Sequence, residues 1–142
     1  MAMNEIQVAQ DELIEDFQLF DNWIDRYQYI IDLGKDLPEF PDAWRNEENR
    51  IHGCQSQVWL MTRCADERLD FTAVSDSAIV SGLIAILMRV YSGKQAADII
   101  NATHEFIGEI GLDEHLSPTR SNGLNAMIKA IESAAGACVG AK

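Results

Sequence analysis

A chain of 142 residues, 47% hydrophobic and 24% charged, is long enough for one domain around one core. Its 23 acidic residues outweigh 11 basic ones, for a formal net charge of −12. That balance argues against nucleic acid and against anionic membrane surfaces, both of which require basic residues. The acidic excess suits a basic docking patch on a protein partner, and it also serves simple solubility.

The start, Met1-Ala2-Met3-Asn4-Glu5, has neither the basic end nor the apolar run of a signal peptide. The most apolar stretch, 78–90, is broken by Ser81, Gly82 and Arg89 and is too short to span a bilayer. Three cysteines, an odd number, do not make a secreted disulfide framework. The expectation is a soluble, cytoplasmic protein with a single domain over 1–142.

Ile6, Ala9, Leu13, Phe17 and Phe20 recur at helical spacing and predict an amphipathic first helix. Asp21 is a candidate cap for a second helix, with Trp23, Tyr27, Ile30 and Ile31 on its apolar face. Gly34 stands where a helix ends in a left-handed residue. Residues 35–49, with Pro38, Pro41 and many charges, read as a surface connection.

The period then shortens. Residues 56–63 hold Val58, Trp59, Leu60, Met61 and Thr62, and 68–75 alternate Leu69, Phe71 and Ala73 with polar residues. With Ala65-Asp66-Glu67 between them, an antiparallel hairpin is expected, and 50–53 would add a short third strand. Helical spacing returns in Ile79, Leu83, Ile86, Leu87 and Val90, and Gly93 marks the stop. Shorter helices are expected over 94–102 and 104–110. Ser117-Pro118, a capping hydroxyl before a first-turn proline, opens a last helix through Leu124, Met127, Ile128 and Ile131. Helices segregated around one antiparallel sheet of about three strands define an α+β domain.

Cys54 stands where loop changes to strand, between Gly53 and Gln55-Ser56-Gln57. A free thiol has a pKa of about 8.5, so little thiolate exists at neutral pH, and attack on another sulfur requires that thiolate. An exposed thiolate is also open to oxidation, so such a site needs protection. Taken alone, a single cysteine is more often packing material than nucleophile.

The string Ile51-His52-Gly53-Cys54-Gln55-Ser56-Gln57-Val58-Trp59 resembles the signature of the SufE family of sulfur-acceptor proteins. The resemblance extends upstream to Trp23, Tyr27, Ile30-Ile31-Asp32-Leu33-Gly34 and Leu37-Pro38. Downstream it takes in 76–85, Leu112, His115-Leu116, the run from Ser117 to Leu124, and Met127-Ile128. It implies a SufE/IscU-like fold and a relay. A SufS/CsdA-like cysteine desulfurase, which carries the pyridoxal phosphate, hands persulfide sulfur to Cys54 and turns over faster for it. The sulfur then passes to a SufBCD-like iron–sulfur scaffold. No cofactor or metal is implied on this chain, which acts as an accessory carrier, monomer or homodimer, not as an independent catalyst.

Arg120 matches the arginine of the family's Pro-[Ser/Thr]-Arg segment. It either stabilises a thiolate or helps docking, or it is a helix-start arginine paired with an acidic neighbour. His52 is not a fixed part of the pattern and is read as structural. Cys64 and Cys138 match no cysteine of the motif, form no CxxC pair and are expected to be incidental. His104 and His115, with Glu105 and Glu114, show no metal-ligand spacing. Trp23, Tyr27 and Trp59 fit core packing. Two other readings stand beside the carrier. An IscU-like cluster scaffold needs several converging cysteine or histidine ligands, and a cysteine hydrolase needs a histidine packed against Cys54.

Overall fold

The computed structural model describes residues 4–53 and 56–140. At its centre is a hairpin, β1 (Val58–Ala65) and β2 (Arg68–Ser75), paired antiparallel in register from Val58↔Ser75 to Ala65↔Arg68. Asp66 and Glu67, at φ 53° and 64°, supply the two left-handed residues of a tight turn that matches strand twist. Alternation decides which face is buried. Val58, Leu60, Leu69, Phe71 and Ala73 turn inward, while Trp59, Met61, Arg63, Asp70 and Thr72 turn to the other side.

Seven helices are present among the described residues: α1 (Glu5–Phe17), α2 (Trp23–Gly34), α3 (Ala78–Tyr91), α4 (Ala96–Asn101), α5 (Glu105–Ile110), α6 (Leu112–His115) and α7 (Pro118–Gly140). Asn4, Asn22 and Ser77 cap α1, α2 and α3 by accepting bonds from free first-turn amides. Helix α3 is the core. Its buried side chains, among them Leu83, Ile84, Leu87, Val90 and Tyr91, cover most of the cylinder because the sheet, α1, α2 and α7 all pack on it, and only the stripe through Ala78, Ser81, Ala85 and Arg89 is left less covered. With the three-stranded antiparallel sheet this is the expected α+β architecture.

The third strand lies elsewhere than expected. Residues 50–53 contribute only an isolated bridge, Arg50↔Trp59, and β3 is Lys94–Gln95, paired with Arg68 and Leu69 of β2. Local pattern assigns 94–95 to a helix, but Gly93 at φ 79° turns the chain beside β2 before α4 begins. The cap of α2 is Asn22 and not Asp21; its Oδ1 accepts from the Asp25 amide at 2.9 Å.

Gly34 also has a different reason. It is not left-handed. A Cβ there would lie 2.6 Å from the amide nitrogen of Gly82, and a Cβ on Gly82 would run into the carbonyl of Ile30. These two glycines allow α2 and α3 to touch backbone to backbone.

Cys64 and Cys138 are not incidental. They form a disulfide across 74 residues, with Cα atoms 5.6 Å apart, joining the end of β1 to the end of α7. No local spacing signals such a pair, because only the packing of α7 across the sheet brings the two together.

Candidate functional site

The Ile51 amide donates to the Val58 carbonyl at 2.9 Å, and with the Arg50↔Trp59 bridge this closes the base of a loop over 52–57. Cys54 and Gln55 lie outside the described residues, so the site is built from their neighbours. Gly53 has φ +95°, a conformation that costs little only without a side chain. A Cβ placed on it would lie 3.5 Å from the Ala126 Cβ, so this arm of the loop rests on α7. On the other arm, the Gln57 amide donates to Asp76 Oδ1 at 3.1 Å, tying the loop to the entry of α3.

Beside the loop is a cavity of about 270 Å³. Ser56 lines it from the loop, Ser77 from the cap of α3, and Ser117, Thr119 and Arg120 from the start of α7. Its floor is apolar: Val80, Leu83, Leu124 and Met127. Ser117 Oγ also accepts from the Arg120 amide at 3.3 Å, which fixes the helix start that Ser117-Pro118 announces. The result is a half-polar pocket. Its apolar floor suits a soft, weakly hydrated sulfur, and its hydroxyls and guanidinium suit developing negative charge.

Arg120 stands on the rim, and among the described residues its guanidinium is not paired with an acidic neighbour. Nη1 donates to the Tyr27 hydroxyl of α2 at 3.0 Å. A neutral partner aims the group without cancelling its charge. His52 is exposed, its Nε2 2.9 Å from Glu47 Oε1 in an open pair. Trp59 is half-buried under the guanidinium groups of Arg45 and Arg50, each 5.7 Å from its ring, so it anchors the loop base.

Sequence reasoning assigns Tyr27 to core packing and Ser117 to a helix start, gives Ser77 and Thr119 no role, and marks none of the four as part of the site. Each falls inside a string that carries the family resemblance, which is the one signal that marks them. His104 is engaged by the Tyr91 hydroxyl, and burial pushes the Tyr91 phenol well above its ordinary range. His115 stacks on Trp23 with ring centroids 4.2 Å apart. Among the described residues no three His, Cys, Asp or Glu side chains come together as metal ligands. No helix among them is long and apolar enough to cross a membrane.

A family model described as SufE, an Fe-S metabolism associated domain, matches residues 11–135. An uncharacterised SufE-like protein of Rhizobium meliloti is 50% identical over 131 residues, covering 88% of this chain and 93% of the relative. Another from Rhizobium etli is 46% identical over 126 residues, covering 85% of each. The solution structure of a hypothetical protein from Thermus thermophilus matches the fold with a TM-score of 0.77 at 17% identity, over 94% of this chain and 97% of that one. The chain therefore belongs to the SufE family, and its role lies in iron–sulfur metabolism.

Proposed function

We propose that this protein is a sulfur carrier that accepts persulfide sulfur on Cys54 from a cysteine desulfurase and passes it on to iron–sulfur cluster assembly. The Cys54 thiolate attacks the outer sulfur of the desulfurase persulfide. The sulfur–sulfur bond breaks, the desulfurase thiolate leaves, and Cys54 becomes the persulfide. No electrons are gained or lost overall, so the exchange calls for no redox cofactor on this chain. Pyridoxal phosphate belongs to the desulfurase, where cysteine is cleaved.

The observation that supports this reading best is the shared cavity wall. Ser56, two residues after Cys54, and Arg120 line the same pocket. A persulfide leaning into it meets an apolar floor and a cation held by Tyr27. Both would slow its loss to water and oxidant.

The test is a transfer assay without reductant, using a purified cysteine desulfurase and cysteine labelled on sulfur. Label is expected on the wild-type chain and on Cys64→Ser and Cys138→Ser, and it should be absent from Cys54→Ser. Label persisting in Cys54→Ser would overturn the assignment.

A further inference from the structure

Helix α7 runs unbroken from Pro118 to Gly140, and its two ends do different work. Near its start, Arg120, Gly123 and Met127 wall the cavity, and Ala126 supports Gly53. At its end, Cys138 is bonded to Cys64 of β1, the edge strand of the sheet. Helix α4 also packs along α7, and Ala134 touches the core. Between residues 133 and 140 only Ala135 and Cys138 are buried, and a Cβ on Gly136 would meet nothing within 4 Å. An Ala/Gly-rich helix end with so few apolar contacts frays readily unless something ties it down.

The two cysteine residues differ in exposure. Cys64 is exposed, whereas Cys138 is 3% exposed. An outside thiol or disulfide therefore meets Cys64 first, and Cys138 acts as the internal partner. From Ala126 to Cys138 is 12 residues of helix, about 18 Å at 1.5 Å per residue. The pair is thus distant, along α7, from the residue that supports Gly53.

We infer that Cys64 and Cys138 form a reversible redox staple, closed by exchange with low-molecular-weight disulfides, that fixes the end of α7 to the sheet and leaves Cys54 as the one free thiol. In closing, the Cys64 thiolate attacks one sulfur of oxidised glutathione and releases one glutathione thiolate. The Cys138 thiolate then attacks the Cys64 sulfur of the mixed disulfide and releases the second. Two protein thiols lose two electrons to the glutathione disulfide, and their two protons end on the two glutathione thiols. A dithiol reductant reverses the sequence, entering at the exposed Cys64. Oxidant is then absorbed at the far end of α7, away from the sulfur-accepting loop.

The test uses the full-length chain alone, so its result is independent of sulfur transfer. Samples equilibrated with oxidised glutathione or with dithiothreitol are alkylated after denaturation and mapped without reduction. Amide hydrogen exchange is then followed along α7. The oxidised sample should carry a linked Cys64–Cys138 peptide pair with Cys54 outside it, either alkylated or as its glutathione adduct; the reduced sample should carry three alkylated cysteines. Amides at 134–140 should exchange at least tenfold faster in the reduced sample and in Cys64→Ser, whose substitution falls at an exposed position. Three alkylated cysteines after oxidation, glutathione adducts without the pair, or Cys54 within the pair would overturn the staple. Equal exchange in both states would overturn its action on α7.

Discussion

Arg120 on the first turn of α7 and Tyr27 on α2 are joined by a 3.0 Å hydrogen bond across 93 residues, at the rim of the candidate sulfur site. The bond is exposed, so its contribution to folding is small, and its effect is on where the guanidinium points. Tyr27→Phe should lower stability by less than ~1 kcal/mol in urea unfolding. It should slow labelling of Cys54 several-fold, and Arg120→Ala should slow it more, because charge as well as aim is lost. Equal rates in wild type and Arg120→Ala would remove Arg120 from the site.

The approach of α2 to α3 at Gly34 and Gly82 gives a paired prediction on stability. Gly82→Ala drives a methyl group into the Ile30 carbonyl, which belongs to backbone and cannot swing aside. Overpacking of this kind costs about 1–3 kcal/mol, and the upper end is expected here. Gly136→Ala, with nothing within 4 Å of the new Cβ, should instead stabilise α7 by up to ~1 kcal/mol from helix propensity alone. Denaturant midpoints of the two variants should move in opposite directions.

Glu5 and Arg68 connect the first turn of α1 to the start of β2, with Arg68 Nη1 3.1 Å from Glu5 Oε2. The hydrogen bond from Arg68, followed by its charge, holds the Glu5 carboxyl below its ordinary value of 4.5. A carboxyl lowered in the folded state contributes stability above its unfolded pKa, and that contribution is lost as pH falls through the folded value. Wild type should therefore exceed Glu5→Gln in stability at pH 6, and the two should converge as the medium is acidified well below pH 4.5. The gap at pH 6 should shrink in high salt, since the pair is open to solvent. Parallel urea titrations of both proteins at the two pH values measure it.

Much of this fold is legible in local pattern. Period-two alternation around Asp66-Glu67 predicts the hairpin, because tight turns and pleated strands draw on a few adjacent residues. Helical periods predict α1, α2, α3 and α7, and Ser117-Pro118 marks where α7 starts. The strand Lys94–Gln95 escapes because two residues carry no period, and their pairing depends on β2 lying alongside. Gly34 is misread for a similar reason: in sequence a glycine after a helical face looks like a left-handed stop, and its true neighbour is Gly82.

By itself, the sequence determined the α+β class, the hairpin, the main helices and the string around Cys54 that marks the family. All of these depend on chemistry within a turn or a strand pair. Only the tertiary structure decided that Arg120 is held by Tyr27, that Ser56, Ser77 and Thr119 share one pocket, and that Cys64 is bonded to Cys138. Those contacts join residues on elements distant in sequence, whose relative placement comes from packing around α3. No local propensity carries that placement. It is set when the apolar faces of the sheet, α1, α2 and α7 are buried together against α3.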